Sequence, residues 1–165
     1  MENPESVVGI VFSPDRLSVL LILRRDVPVW VLPGGGIDLQ ETAELATVRE
    51  ILEETGLTVK IDRLIGHYYP INRLTKKTVV YECTKIDGDL TTSNETKGVK
   101  FILLDALPPM PPPYLEWIED AKVKQAPLSK KIESVTYPKL LLQLFLHPIL
   151  VIRFLLARLG LSINS

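Results

Sequence analysis

The chain has 165 residues, enough for one domain with a buried core and too few for two comfortable ones. Its 19 basic and 20 acidic residues leave a net charge of −1, so no global field favours nucleic acid, and a polyanionic ligand has to be met locally. A single cysteine, Cys83, excludes an intramolecular disulfide and a multi-cysteine metal cage and points to a reducing compartment.

The start, MENPESVVGIVF, carries glutamates and a proline before its first apolar run and lacks the basic segment and cleavage site of an export signal, so a cytoplasmic location is expected. VVGIVF (7–12) and LSVLLILRR (17–25) flank the turn-forming SPDR and predict a hairpin entering a sheet. VWVL (29–32) is a short strand stopped by Pro33 and the glycines that follow. Helical periodicity is clear over about residues 40–55, where Gly56 supplies the left-handed stop. TVKIDRLIGHYY (58–69), KTVVYECTKI (77–86) and VKFILLD (99–105) alternate as strands. The polar DGDLTTSNETKG (87–98) between the last two is expected to be a mobile loop. Prolines in PPMPPPYLEWIEDA (108–121) introduce a second helix, where a missing amide hydrogen does no harm. The sum is an α/β domain, a mixed sheet flanked by helices.

The unusual segment is GGGIDLQETAELATVREILEETGL (34–57), with three glycines set before a strongly acidic helix. At about 100° per residue, Glu53 and Glu54 fall about 60° and 40° to either side of Glu50, so the three carboxylates converge on one face. Leu45, Val48 and Leu52 fall opposite and are expected to anchor the helix to the sheet, with Ala43, Ala46 and Thr47 leaving room beside the acidic stripe. Like charges at this spacing destabilise a bare helix and invite a compensating cation. Hard carboxylate oxygens without histidine or cysteine suit Mg²⁺ or Mn²⁺ better than zinc. Arg49 can orient a neighbouring carboxylate by paired hydrogen bonds, and the glycines let backbone approach a ligand closely. The run lacks the Lys-Ser/Thr ending of a P-loop, so phosphate capture has to work through a metal.

Counted from Gly35, the segment reads glycine, five residues, Glu41, seven residues, Arg49-Glu50, an aliphatic, one residue, Glu53-Glu54, one residue, Gly56 and an aliphatic. This resembles a complete Nudix box. WVLPGG before it and VKFILLDALP after it are also similar to Nudix domains, and the likeness covers about residues 5–124. The resemblance implies an α/β/α sandwich around a mixed sheet and metal-dependent hydrolysis of a nucleoside diphosphate linked to another group. By position, Glu50, Glu53 and Glu54 match the metal-binding carboxylates, and Gly34 matches the residue offering a backbone carbonyl. Glu41 and Arg49 match positions that brace the loop and helix, with Gly35 and Gly56 as structural support. The family's general base is either the glutamate after the box arginine, here Glu50, or one on a distant loop, for which Glu95 fits by context. A rival of a different class is a module that keeps the fold to bind or sense a nucleotide without cleaving it.

Outside the box, Arg24 and Arg25 end a strand and either grip a phosphate or are structural, and Trp30 either stacks on a base or belongs to the core. Cys83, in an apolar strand, reads as a buried small residue. His67 and His147 show no ligand spacing, and Glu116, Glu119 and Asp120 read as the solvent side of the second helix.

KLLLQLFLHPILVIRFLLARLGL (139–161) stands apart: from Leu140 to Leu159, fifteen of twenty residues are apolar. Gln143, His147, Pro148 and Arg153 interrupt it, and a central arginine opposes a true span. Pro148 is expected to divide it into two helices. The expectation is a catalytic domain over 1–130 and a hydrophobic helical extension over 131–165. The extension packs on the core, forms a homodimer contact or lies on a membrane surface through residues 139–161.

Overall fold

Runs of Val, Ile and Leu that are apolar on both faces mark strands covered from two sides. The first two form β1 (Ser6–Val11) and β2 (Ser18–Arg24) in a computed structural model that describes residues 4–123, 125–146 and 148–158. SPDR makes the expected turn: the Ser13 amide donates to the Ser18 carbonyl at 2.9 Å, and the Leu17 amide donates to the Asp15 carboxylate at 3.0 Å. The hairpin does not continue past it. Beyond a bridge between Phe12 and Val19 the strands diverge into different sheets, because β1 pairs in parallel with β6 (Thr78–Asp87) and β2 pairs with β7 (Thr96–Leu103).

The larger sheet is mixed, in the order β4-β1-β6-β5-β8, with β4 at Gly34–Gly36, β5 at Thr58–Pro70 and β8 at Leu128–Ile132. The smaller is antiparallel, β3-β2-β7, with β3 at Trp30–Val31. Alternation along the strands divides the interior in two. Val79, Tyr81 and Cys83 face one side, which Ile51 of α1 (Ala43–Thr55) seals. Val8, Ile10 and Val80 face the other, which Trp117 and Ile118 of α2 (Tyr114–Lys122) seal. The sequence-based α/β/α expectation therefore holds, with the strands shared between two sheets.

Helix α1 begins at Thr42, whose hydroxyl accepts from the Leu45 amide at 3.3 Å. It stops at Gly56, which adopts a left-handed φ of 76° and donates its amide to the Leu52 carbonyl at 2.9 Å. Of the three expected anchors, Val48 alone packs on the core beneath the helix. Leu45 and Leu52 are exposed, and Ala46, Thr47, Ile51, Glu54 and Thr55 are buried. The helix is drawn in on its small-residue side, where Ile51 reaches Gly9 of β1 so closely that a Cβ there would lie 2.3 Å from the Ile51 Cδ1 atom. Thr47 and Thr55 satisfy their hydroxyls within the helix, on the Ala43 and Ile51 carbonyls. One consequence matters for chemistry: the buried face overlaps the acidic stripe, so Glu54 is carried inward.

Segment 88–95 is hydrogen-bonded to the end of α1 and to the residues after it. The Thr91 amide donates to the Thr55 carbonyl at 2.8 Å, and the Ser93 amide to the Thr96 hydroxyl at 2.8 Å. Strand β7 consequently begins at Thr96, three residues earlier than alternation indicates.

Strand β8 crosses residue 130, and Ile132 and Val135 belong to the α2-side core. The apolar extension forms α3 (Tyr137–Leu146) and α4 (Pro148–Arg158), divided at Pro148 as expected. His147 and residues 159–161 lie outside the described residues. No described helix is long and apolar enough to cross a membrane.

Candidate active site

The glycine strand β4 forms one edge of the larger sheet, paired with β1 through Val8 opposite Gly34 and Ser6 opposite Gly36. Helix α1 packs against this edge, which sets the box carboxylates beside the glycines. Gly34 has a φ of 153°, and a Cβ there would lie 2.2 Å from the Val7 carbonyl oxygen, so no other residue fits. At Gly35 a Cβ would lie 2.5 Å from a Glu50 carboxylate oxygen. The missing side chain is the space that Glu50 occupies.

Arg49 organises the outer part of the site. Its Nε and Nη2 donate to the two oxygens of Glu41 at 2.9 and 2.8 Å, a paired arrangement available to a guanidinium and not to an ammonium. Nη2 also donates to the Gly36 carbonyl at 3.0 Å, and Nη1 to Glu50 at 2.9 Å and Glu53 at 3.3 Å. These hydrogen bonds hold the Glu41 carboxyl down at about 2, assisted by the Asp38 amide. One side chain thus joins the turn after β4 to the acidic face of α1. The bracing roles expected of Glu41 and Arg49 have this geometry.

Glu54 is the buried member, 8% exposed. Its Oε2 accepts from the Gly34 amide at 2.8 Å. Burial drives its carboxyl up to about 8; the Gly34 amide and Arg24 oppose the rise, and the negative charges of Glu50 and Glu95 add to it. Burial likewise raises Glu50, against Arg49, with Glu53 and Glu95 contributing. Glu53 is the exposed member, its side chain 59% accessible. Among the described residues, no three acidic, histidine or cysteine side chains are preassembled as a metal cage. The cause is visible in the hydrogen bonds, because Arg49 engages Glu50 and Glu53 while the Gly34 amide engages Glu54.

The distant candidates divide. Glu95 lies on the exposed loop and its charge reaches both Glu50 and Glu54, so the fold brings it to the box. Its carbonyl accepts from the Arg25 amide at 2.9 Å. The Arg25 guanidinium donates to the carbonyls of Ser93, Asn94 and Thr96 at 3.1 to 3.3 Å, which fastens the loop to the end of β2. Arg24 is paired with Asp26 at 2.9 and 2.5 Å, and its charge acts on Glu54. Trp30 is half-buried against the α2-side core, next to Gly98.

Residues 3–124 match the family model for the NUDIX domain. The chain belongs to the Nudix family. Among its relatives are a putative 8-oxo-dGTP diphosphatase of Bacillus subtilis (strain 168), 38% identical over 99 residues, covering 60% of this chain and 66% of the relative. An ADP-ribose pyrophosphatase of Methanocaldococcus jannaschii is 36% identical over 109 residues, covering 62% of this chain and 63% of the relative. The chain thus spans slightly under two thirds of the length of these relatives. A Nudix hydrolase structure from Nitrosomonas europaea superposes with a TM-score of 0.68 over 80% of each chain at 22% identity, which speaks for the fold alone. Nudix hydrolases generally work with divalent metal ions. The donors in this box fit one: they are all hard oxygens, and the charge of Glu50 raises the proton affinity of Glu54, as that of Glu53 raises Glu50, a crowding of anions that positive charge would relieve.

Sequence inspection missed two parts of this Nudix site and one contact of the α2-side core. Asp26 fixes Arg24, and only its spacing of two residues could have suggested it. Thr96 fastens the loop to α1, its hydroxyl donating to the Glu54 carbonyl at 3.2 Å. Asp120, read as a solvent residue, instead accepts from the buried Tyr68 hydroxyl at 2.9 Å and from Lys130. Cys83 is buried as expected, and burial pushes its thiol up to about 12.

Proposed function

We propose that the chain is a metal-dependent pyrophosphohydrolase acting on a small nucleotide-type phosphoanhydride, with water attacking phosphorus. The observation that carries this is the convergence of Glu50 and Glu54, in a complete Nudix box, on a glycine strand whose amide and open Cβ space receive them. Glu50, Glu53 and Glu54 would hold the ion beside Gly34, and Mg²⁺ is assigned, with Mn²⁺ as a substitute. When bound, such an ion supplies charge neutralisation at the anhydride and acidity to water.

The chain's own groups do the rest. Arg49 and Glu41 fix the direction of the Glu50 carboxylate against Gly35. Arg24, steadied by Asp26, places positive charge on the Glu54 side, where a phosphoryl oxygen benefits from it. Two carboxylates are candidates for accepting the proton of the attacking water: Glu50, whose affinity for a proton is raised by burial, and Glu95 from the loop. Separate Glu50→Gln and Glu95→Gln variants distinguish them by which one loses the acidic limb of the pH–rate profile.

Relatives named for 8-oxo-dGTP and ADP-ribose direct the substrate search to nucleoside triphosphates and ADP-ribose, followed by nucleotide sugars and dinucleoside polyphosphates. The test is release of a nucleoside monophosphate from this panel with Mg²⁺. Binding of a nucleotide without any cleavage would instead establish the sensing module. We assign the extension at 139–161 a locating role in a cytoplasmic protein, as a contact with a second subunit or with a membrane surface.

A further inference from the structure

The net charge of −1 conceals a division along the chain. Residues 1–120 carry 12 basic and 19 acidic side chains, whereas residues 121–165 carry seven basic ones and a single acidic one, Glu133. The basic portion is also the leucine-rich portion. Helices α3 and α4 have 10 and 11 residues. At 1.5 Å per residue each is about 15 Å long, half of a hydrocarbon core of about 30 Å. Neither described helix is long enough to cross it.

Their placement turns apolar side chains outward. On α3, Leu141, Leu142 and Phe145 are exposed, Phe145 by 85%, and on α4 Ile149 is exposed by 73%. Val151 is turned in, and the Arg153 Nε donates to the Asp26 carbonyl at 3.0 Å, which seats α4 on the turn between β2 and β3. At the start of α3 lies a cleft of about 490 Å³ lined by Lys130, Lys131, Lys139, Ser134, Glu116 and Glu133. Lys130 is held by Asp120 at 3.1 Å. The Ser134 hydroxyl is buried without a hydrogen-bond partner among the described residues. Lys131 and Lys139 are exposed at this cleft, where lipid phosphates can reach them.

We propose that α3, α4 and this cleft dock the protein on an anionic membrane surface, with the apolar side chains in the acyl boundary and the lysines on lipid phosphates. A second copy suits the face less well. A two-fold contact opposes each surface to itself, so it would bring one basic segment against another. An anionic bilayer accepts the apolar side chains and the positive charge together, and it repels the acidic body, which orients the molecule.

The test is sedimentation of the full chain with vesicles of phosphatidylcholine alone and of phosphatidylcholine containing phosphatidylglycerol. It needs no turnover and is independent of the proposed activity. The expected result is binding to the anionic vesicles, at least about tenfold weaker on neutral ones, by a chain that is monomeric in solution. Lys131→Glu with Lys139→Glu, at exposed positions, should weaken binding about tenfold or more with an unchanged melting temperature. Phe145→Asp should remove the binding to both vesicle types. A full chain that stays in the supernatant overturns the proposal, as does equal binding to neutral and anionic vesicles. A dimer that Phe145→Asp dissociates, with no vesicle binding, identifies the second copy as the occupant and also overturns it.

Discussion

Glu54 is where packing and chemistry meet. The same inward turn of α1 that buries Ile51 also buries a carboxylate among other carboxylates, with one backbone amide and the charge of Arg24 for relief. Its carboxyl stands at about 8 in the folded chain against an ordinary 4.5, so between these values the folded form holds a proton that the unfolded form has released. The stability that accompanies this proton is complete below the ordinary value and is lost as pH rises through the folded one. With chelator present, the melting temperature of the wild type should fall from about pH 5 to pH 8. In Glu54→Gln this slope should flatten. A wild-type melting curve that is level across that window, or a Gln variant with the same slope, would remove Glu54 from this role. Metal binding is expected to release protons in the same range.

At the scale of elements, the glycine strand and the acidic helix form one unit, and neighbouring glycines in it do different work. At Gly35 an added methyl meets the movable end of Glu50, whereas at Gly34 it meets the fixed backbone of β1. Gly35→Ala should therefore lose turnover by about tenfold or more through a displaced carboxylate, with little change in melting temperature. Gly34→Ala should unfold or melt many degrees lower. Thermal denaturation beside initial rates checks both, and equal melting losses in the two variants would contradict the distinction. The box was legible in the sequence because its spacing encodes which residues share a helix face and where the turn must lie. The buried side of that helix was not, because Leu45 and Leu52 out-rank Ala46 and Thr47 in hydrophobicity, and closeness to Gly9 decided the packing. Strands β4 and β8 were invisible for another reason: GGG and LSKKI carry no apolar alternation, and both are made by pairing with distant strands. Pro148 marked the helix break because its lack of an amide hydrogen acts locally.

At the scale of the whole molecule, two cores share one layer of strands, and the chain closes the second core late. Ile132 is buried, Val135 packs with it, and the Asn72 side-chain Nδ2 donates to the Val135 carbonyl at 2.7 Å. Residues beyond 130 therefore contribute to this core. A chain ending at Thr136 should fold and keep its turnover, whereas one ending at Pro127 should lose cooperative unfolding, as circular dichroism melts will show. The catalytic assignment is tested most directly by turnover of a cleaved phosphoanhydride against free Mg²⁺, for the wild type and Glu54→Gln at equal folded concentration. The expected result is no monophosphate release with chelator, saturable release with Mg²⁺, and a loss of roughly two orders of magnitude or more in the variant. Wild-type turnover in Glu54→Gln, or undiminished release with chelator, would contradict it.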